Sequence, residues 1–330
     1  MTDRTLAYVE ANGLRFAFLE EGTGPLVLLL HGFPDTAHTW DDVRPRLAAK
    51  GYRAVSPFMR GYHPTQVPEH DADQETLVRD VLALIPALGA SDAIVIGHDW
   101  GASAAYGAAG LGPERVRKLV TVGIPHPATK PTLKKLWGVR HFAAYKLPGA
   151  ASRFAASDFA ALPAIYRRWS PAWSPPAAEL AAIRECFAHR ESLDAAMGYY
   201  RQLKFRPTES LRRRIAASTV TFAGLDDGVA EPSDFHRAKR MFSGEYVVEE
   251  MRGDTSSIAS TPTCSRSACS RISEVASALA DARSHAGRVG RRDRRRVRGL
   301  ELAAIGEGER EARAEILTVR GGHRDDGDED

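Results

Sequence analysis

One stretch, Ile94 to Gly107, constrains this chain more than any other. Ala93-Ile94-Val95-Ile96 is apolar and β-branched at three of its positions, Gly97-His98-Asp99-Trp100-Gly101 follows, and Ala102-Ser103-Ala104-Ala105 is uniformly small. A β-branched run ending in glycine, a sharp turn and an alanine-rich segment predict strand, turn and helix, with the middle residue thrust out of the turn. That residue is Asp99. The glycines on either side suit a backbone packed so closely that a Cβ there would collide with neighbouring chain. A helix N-cap alone would also explain an aspartate at this position, but a second motif upstream argues for more.

That motif is His31-Gly32-Phe33-Pro34, directly after the apolar run Leu26 to Leu30. With the glycine-bracketed turn it resembles the nucleophile elbow and companion loop of the α/β-hydrolase fold, with aspartate where serine is usual. Within that fold the chain is most similar to epoxide hydrolases and to the haloalkane and haloacetate dehalogenases, over roughly Leu14 to Gly253. The resemblance implies an α/β fold: a doubly wound, mostly parallel sheet with an inserted helical cap. It divides the chain into a first core part (1–125), a cap (126–214), a second core part (215–253) and an atypical tail (254–330).

The order of elements agrees with that class. Leu14 to Leu19 and Pro25 to Leu30 read as strands, the second apolar throughout as a strand covered on both faces must be. Trp40 to Lys50 has helical spacing, Arg53 to Ser56 is a strand, and Asp73 to Leu88 carries the apolar stripe Leu77, Val81, Leu84, Leu88. Arg117 to Gly123 is the strand after the elbow helix, and alternation of this kind predicts a doubly wound sheet. From His126 to about Arg214 the pattern changes to proline-broken helical segments rich in aromatics, among them Tyr145, Tyr166, Tyr199 and Tyr200. Strand character returns at Thr219 to Ala223 and at Glu245 to Glu250. Arg60-Gly61-Tyr62 resembles a loop of the family in which glycine is usual where His63 stands here.

What the resemblance implies chemically can be stated residue by residue. A carboxylate is ionised at neutral pH, so Asp99 is the expected nucleophile, attacking carbon to give an alkyl ester. Hydrolysis of that ester needs an oxyanion hole, which by position is the amides of Phe33 and Trp100. Opening an epoxide also needs a proton donor; Tyr200, in Tyr199-Tyr200-Arg201, matches the family's lid tyrosine, and Tyr145 is the candidate for a second, one place off the usual register. In Gly224-Leu225-Asp226-Asp227-Gly228, Asp227 matches the acid that orients a base histidine, with Asp226 as the alternative.

The base itself is missing. A histidine is expected soon after the last strand, yet the chain reads Arg252-Gly253-Asp254-Thr255-Ser256-Ser257-Ile258. From Gly253 to Asp330 there is no Phe, Trp, Tyr or Lys, the composition of a disordered segment. The genetic code offers another reading. If the frame slips near Gly253, codons built from the last base of one triplet and the first two of the next are compatible with Gly, His, Phe, Leu and a later His-Pro, in family order, with the histidine at the position written Thr255. An arginine cluster at Arg291 to Arg298 then reflects codon usage, and nucleic-acid binding is not expected.

A net charge of +3 describes an ordinary soluble protein, no run approaches membrane-spanning length, and Cys186, Cys264 and Cys269 make no disulfide framework. The expectation is a cytoplasmic enzyme without cofactor or metal. Its partners are a small-molecule epoxide or alkyl halide and water; no membrane is expected, and homodimerisation is left open. The reaction is epoxide hydrolysis, with dehalogenation and an inactive or single-turnover product as the alternatives.

Overall fold

A computed structural model describes residues 6–251, apart from 131, 133–136, 138, 172, 173, 176 and 205, together with residue 274. The tail and the position of Thr255, Cys264 and Cys269 lie outside the described residues.

Eight strands form one sheet: β1 (Leu6–Ala11), β2 (Leu14–Glu21), β3 (Leu26–Leu30), β4 (Arg53–Pro57), β5 (Ala93–His98), β6 (Val116–Val122), β7 (Ser218–Gly224) and β8 (Tyr246–Met251). Their order is β1-β2-β4-β3-β5-β6-β7-β8. β2 is antiparallel to both neighbours, and β4 through β8 run parallel. The sequence reading of an α/β-hydrolase with a mostly parallel sheet therefore stands; β1, short and only partly buried, is the strand that reading did not anticipate.

The unbroken apolar runs are explained by burial on both faces. Leu26, Leu28, Leu30 and Val95 enter one core, while Val27, Leu29, Ile94 and Ile96 enter the other. Helices α1 (Arg44–Ala49), α2 (Gln74–Ala87) and α3 (Trp100–Leu111) connect the strands. The helix read as Trp40 to Lys50 is two pieces, a 3-10 turn at Ala37–Trp40 and α1, because Pro45 has no N–H to extend a helical ladder back across residue 41. The predicted facing holds all the same: Trp40, Val43 and Leu47 are fully buried. Asp73 caps α2 by accepting from the Thr76 amide at 3.0 Å. α3 is nearly all Ala and Gly on its buried faces, which lets it lie close to α2; a Cβ on Gly107 would come 2.3 Å from Val78 Cγ2.

Between β6 and β7 the chain leaves the sheet and forms a helical insertion with α4 (His141–Tyr145), α5 (Ala150–Phe154), α6 (Leu162–Trp169), α7 (Ala177–Ala188) and α8 (Arg190–Arg201). Polar contacts tie it down. Tyr199 donates to the Arg60 carbonyl at 2.6 Å, Tyr166 donates to Asp35 at 2.6 Å, and Arg201 grips Asp71 through two bonds of 2.7 Å. Among the described residues no helix is long and apolar enough to cross a membrane.

The elbow is the tightest point of the sheet. Asp99 adopts φ 49, ψ −118, and a Cβ on Gly101 would sit 2.3 Å from the Leu30 carbonyl oxygen, one on Gly97 2.5 Å from the Gly101 carbonyl oxygen. Both obstacles are backbone and cannot swing aside. Gly101→Ala is expected to cost about 3 kcal/mol by overpacking. Gly51→Ala, at φ +83 with open space around it, is expected to cost only about 1 kcal/mol of left-handed strain. Urea midpoints of the two variants check the contrast; equal losses would contradict the packing argument.

Candidate active site

The carboxyl ends of β3, β5 and β7 converge, as ligand-binding crevices of open parallel sheets do. β3 delivers His31 to Asp35, β5 delivers His98 and Asp99, and the turn after β7 delivers Asp227. Asp99 is partly buried, and its Oδ1 accepts from the Phe33 amide at 3.0 Å and its carboxylate from the Trp100 amide. Both predicted oxyanion donors thus already converge on the predicted nucleophile. Gly32 is what allows the approach: a Cβ there would fall 2.3 Å from Asp99 Cβ and 2.6 Å from its Oδ1. The sequence showed Gly32 as part of a motif but not this contact.

Burial pushes the Asp99 carboxyl above its ordinary value, and the positive charge of His98 and the two amides only partly offset that. His98 is raised as well: burial works against its charged form, but Asp35, with Oδ2 3.3 Å from His98 Nδ1, outweighs it, and Asp99 and Asp227 add to the effect. Tyr166 holds the other Asp35 oxygen at 2.6 Å. Asp35, His98 as a charged group, and Tyr166 were missed by sequence reasoning. The available signal was a histidine beside the elbow aspartate and an acid just after Pro34.

His31 has a different role. Burial lowers it to about 4, its Nε2 accepts from the Met59 amide at 3.0 Å, and its Nδ1 faces the Gly32 carbonyl at 2.9 Å. It is a neutral brace between the β3 and β4 loops. With His98 engaged by Asp35, both motif histidines are committed elsewhere.

Of the two turn acids, Asp226 is exposed and Asp227 is buried, its Oδ1 accepting from the Val229 and Ala230 amides at 2.7 and 2.9 Å. The structure also brings the two tyrosines together: Tyr145 and Tyr200 are buried with ring centroids 4.9 Å apart, and the charge of Asp99 reaches both. Burial raises both hydroxyls, so they stay protonated at neutral pH. The Trp100 indole N–H is directed at the Tyr200 oxygen, their rings edge-on at 5.2 Å. Phe33 lies among Tyr145, Phe154, Phe187 and Tyr200 at 5.1 to 5.9 Å, giving the site aromatic walls. Among the described residues no group of three His, Cys, Asp or Glu is arranged to hold a metal ion.

The strand order and the elbow at the end of the central strand define an α/β hydrolase. Residues 25–229 match the alpha/beta hydrolase fold family, and the chain belongs to it. It is 40% identical over 120 residues to an epoxide hydrolase of Caballeronia sordidicola, an alignment that spans 36% of each chain. It is 32% identical over 225 residues to the AB hydrolase superfamily protein YfhM of Bacillus subtilis, covering 60% of this chain and 78% of that one. Epoxide hydrolase A of Mycobacterium tuberculosis is 36% identical over 121 residues, 36% of this chain and 38% of its own. The chain thus spans little more than a third of the length of the epoxide hydrolases from Caballeronia and M. tuberculosis. The crystal structure of epoxide hydrolase A from Mycobacterium thermoresistibile superposes with a TM-score of 0.67 at 25% identity, over 84% of this chain and 97% of that chain. That of an epoxide hydrolase from Vigna radiata does so with 0.68 at 24%, over 83% and 97%.

The partly buried Asp99 charge has a consequence for stability. Because its folded value is raised, the folded state holds the proton more tightly than the unfolded one, and its ionised form destabilises the fold as pH rises through that value. Asp99→Asn keeps an oxygen for both amides and removes the charge. Its thermal midpoint is expected about 3 °C above that of the unaltered protein near neutral pH. Below the ordinary carboxylate range the gain should vanish, and a midpoint difference independent of pH would contradict this.

Proposed function

We propose that this site opens epoxides through an ester on Asp99, with residues 126–214 acting as a cap over the nucleophile. One oxygen of Asp99 stays with the Phe33 and Trp100 amides, and the other forms a bond to an epoxide carbon. The ring C–O bond breaks, its electron pair goes to the ring oxygen, and that oxygen takes the hydroxyl proton of Tyr200, with Tyr145 as a second donor. Hydrolysis follows when water attacks the ester carbonyl and the same two amides hold the tetrahedral oxyanion.

The observation that carries this reading over dehalogenation is the Trp100–Tyr200 contact. An indole N–H beside the nucleophile could cradle a leaving halide, but here it is directed at the Tyr200 oxygen. Tryptophan is a donor only, so Tyr200 must accept from it, and its own proton is left for the substrate. The similarity to proteins described as epoxide hydrolases supports the same choice. Aromatic walls around Phe33 favour an epoxide with an apolar substituent.

Water activation needs a base, for which His31 and His98 are unavailable. The Leu225 amide donates to the Met251 carbonyl at 2.8 Å, so the chain beyond β8 starts beside the turn that carries Asp227. On the reading of residues from about Asp254 as out-of-frame translation, the histidine stands at the position written Thr255, four residues after Met251 in sequence. The protein as written then alkylates Asp99 but does not release it.

Incubation with styrene oxide is expected to add one substrate mass per chain at Asp99, read by peptide mass spectrometry, with little diol. Sustained turnover would overturn the missing-base reading, and an adduct elsewhere would overturn Asp99. Tyr200→Phe should slow adduct formation on the order of 100-fold, as loss of a general acid does. With the frame restored, diol production from epoxides should exceed halide release from alkyl halides; the reverse would favour dehalogenation. Sequencing the gene settles the frame: no histidine codon in the shifted frame would end that idea.

A further inference from the structure

The loop after β4 carries the core side of the contact with the helical insertion. Tyr62 packs 5.5 Å from Phe187 and 6.1 Å from Tyr199, and a Cβ on Gly61 would approach Ala195 Cβ to 2.6 Å. Next comes His63. Its ring lies flat on that of His189, centroids 3.5 Å apart and planes within 8°. His189 is the single residue between α7 and α8 and immediately precedes the helix that ends in Tyr199-Tyr200-Arg201.

We propose that His63 and His189 form a pH-responsive latch between sheet and insertion, closed while at least one ring is neutral and parted when both carry a proton, so that the α7–α8 end of the insertion loosens in mildly acidic solution. One imidazolium over a neutral ring is an attractive arrangement. Two stacked imidazolium rings repel, and like charges this close disfavour the second proton. The groups around the pair do not cancel that repulsion. Glu191 lies 3.6 Å from His189, and Glu185 on α7 and Glu191 on α8 both act on His63 from the side of the insertion. They draw protons to the pair without separating the rings. Cys186 receives the His63 amide and is pushed by burial up to about 12, so it brings no charge. Arg190 lies over the Phe159 ring at 5.4 Å. Protons can reach the latch, since the His189 side chain is 45% exposed.

The sign follows from His63. Burial and then His189 hold it below its ordinary value of 6.5, so the stacked form binds fewer protons than the parted one. Acid therefore favours the parted form as pH falls through that value. The attachment at Arg201–Asp71 involves no histidine, so loosening starts at the α7–α8 junction and not throughout the insertion.

Amide hydrogen exchange read by mass spectrometry, corrected for intrinsic chemical rates, tests this on the full chain at about pH 7.5 and pH 5.5. Peptides spanning Glu185 to Ala196 should exchange roughly tenfold faster at the lower pH. The His63→Gln, His189→Gln double variant keeps two flat stacking groups that cannot charge, and its ratio should be near one. An acid-insensitive wild type, or the same ratio in both proteins, overturns the latch. Should the variant not fold, imidazole NMR titration of the unaltered chain decides alone. A His63 titration held below that of a free imidazole supports the coupling, and one at the ordinary value overturns it. The latch does not depend on the reaction assigned to Asp99.

Discussion

The structure depends on one close approach of backbone to backbone. The end of β3 passes so near the turn between β5 and α3 that glycine is required at 32, 97 and 101, with Cβ positions at 2.3 to 2.5 Å from neighbouring atoms. That contact fixes Asp99 in a conformation an L-residue rarely adopts and sets its Oδ1 against the Phe33 amide. Position, burial and hydrogen bonding of Asp99 are therefore one constraint. It cannot be relaxed locally, because the obstacles are main-chain carbonyls and the Asp99 side chain itself.

The electrostatics follow from that enclosure. Asp35 and Asp227 are buried and Asp99 is partly buried at one end of the sheet, and an unpaired buried charge there would cost several kcal/mol. Each is given partners: amides for Asp99 and Asp227, a tyrosine hydroxyl and His98 for Asp35. His98 faces all three, and they raise it above its ordinary value. The insertion contributes to this balance through Tyr166, so docking of the helices and charge at the sheet end are coupled.

Much of this was legible in the chain, for identifiable reasons. The elbow could be read because steric demand at a glycine-bracketed turn is local, and the strands because burial on both faces leaves an uninterrupted apolar run. Phe33, Trp100 and Asp99 follow from those motifs by position, and geometry brings them together. β1 escaped notice because an edge strand with one exposed face carries little pattern. The break between Trp40 and Arg44 was hidden because both pieces keep the same buried face. Asp35, His98 and Tyr166 were beyond reach for another reason: their partnership joins residues 35, 98 and 166, and no local spacing encodes it. The ring stack of His63 on His189 is of the same kind.

The helical insertion departs from β6 and returns at β7, two strands that pair directly, with Val122 opposite Phe222. Its entry and exit are thus adjacent on a rigid frame, and the ladder between them is indifferent to what the loop in between contains. Evolution can lengthen, reshape or repaint this roof without disturbing the floor that holds the carboxylate. A single fold can in this way vary the walls around Asp99 while the carboxylate itself never moves.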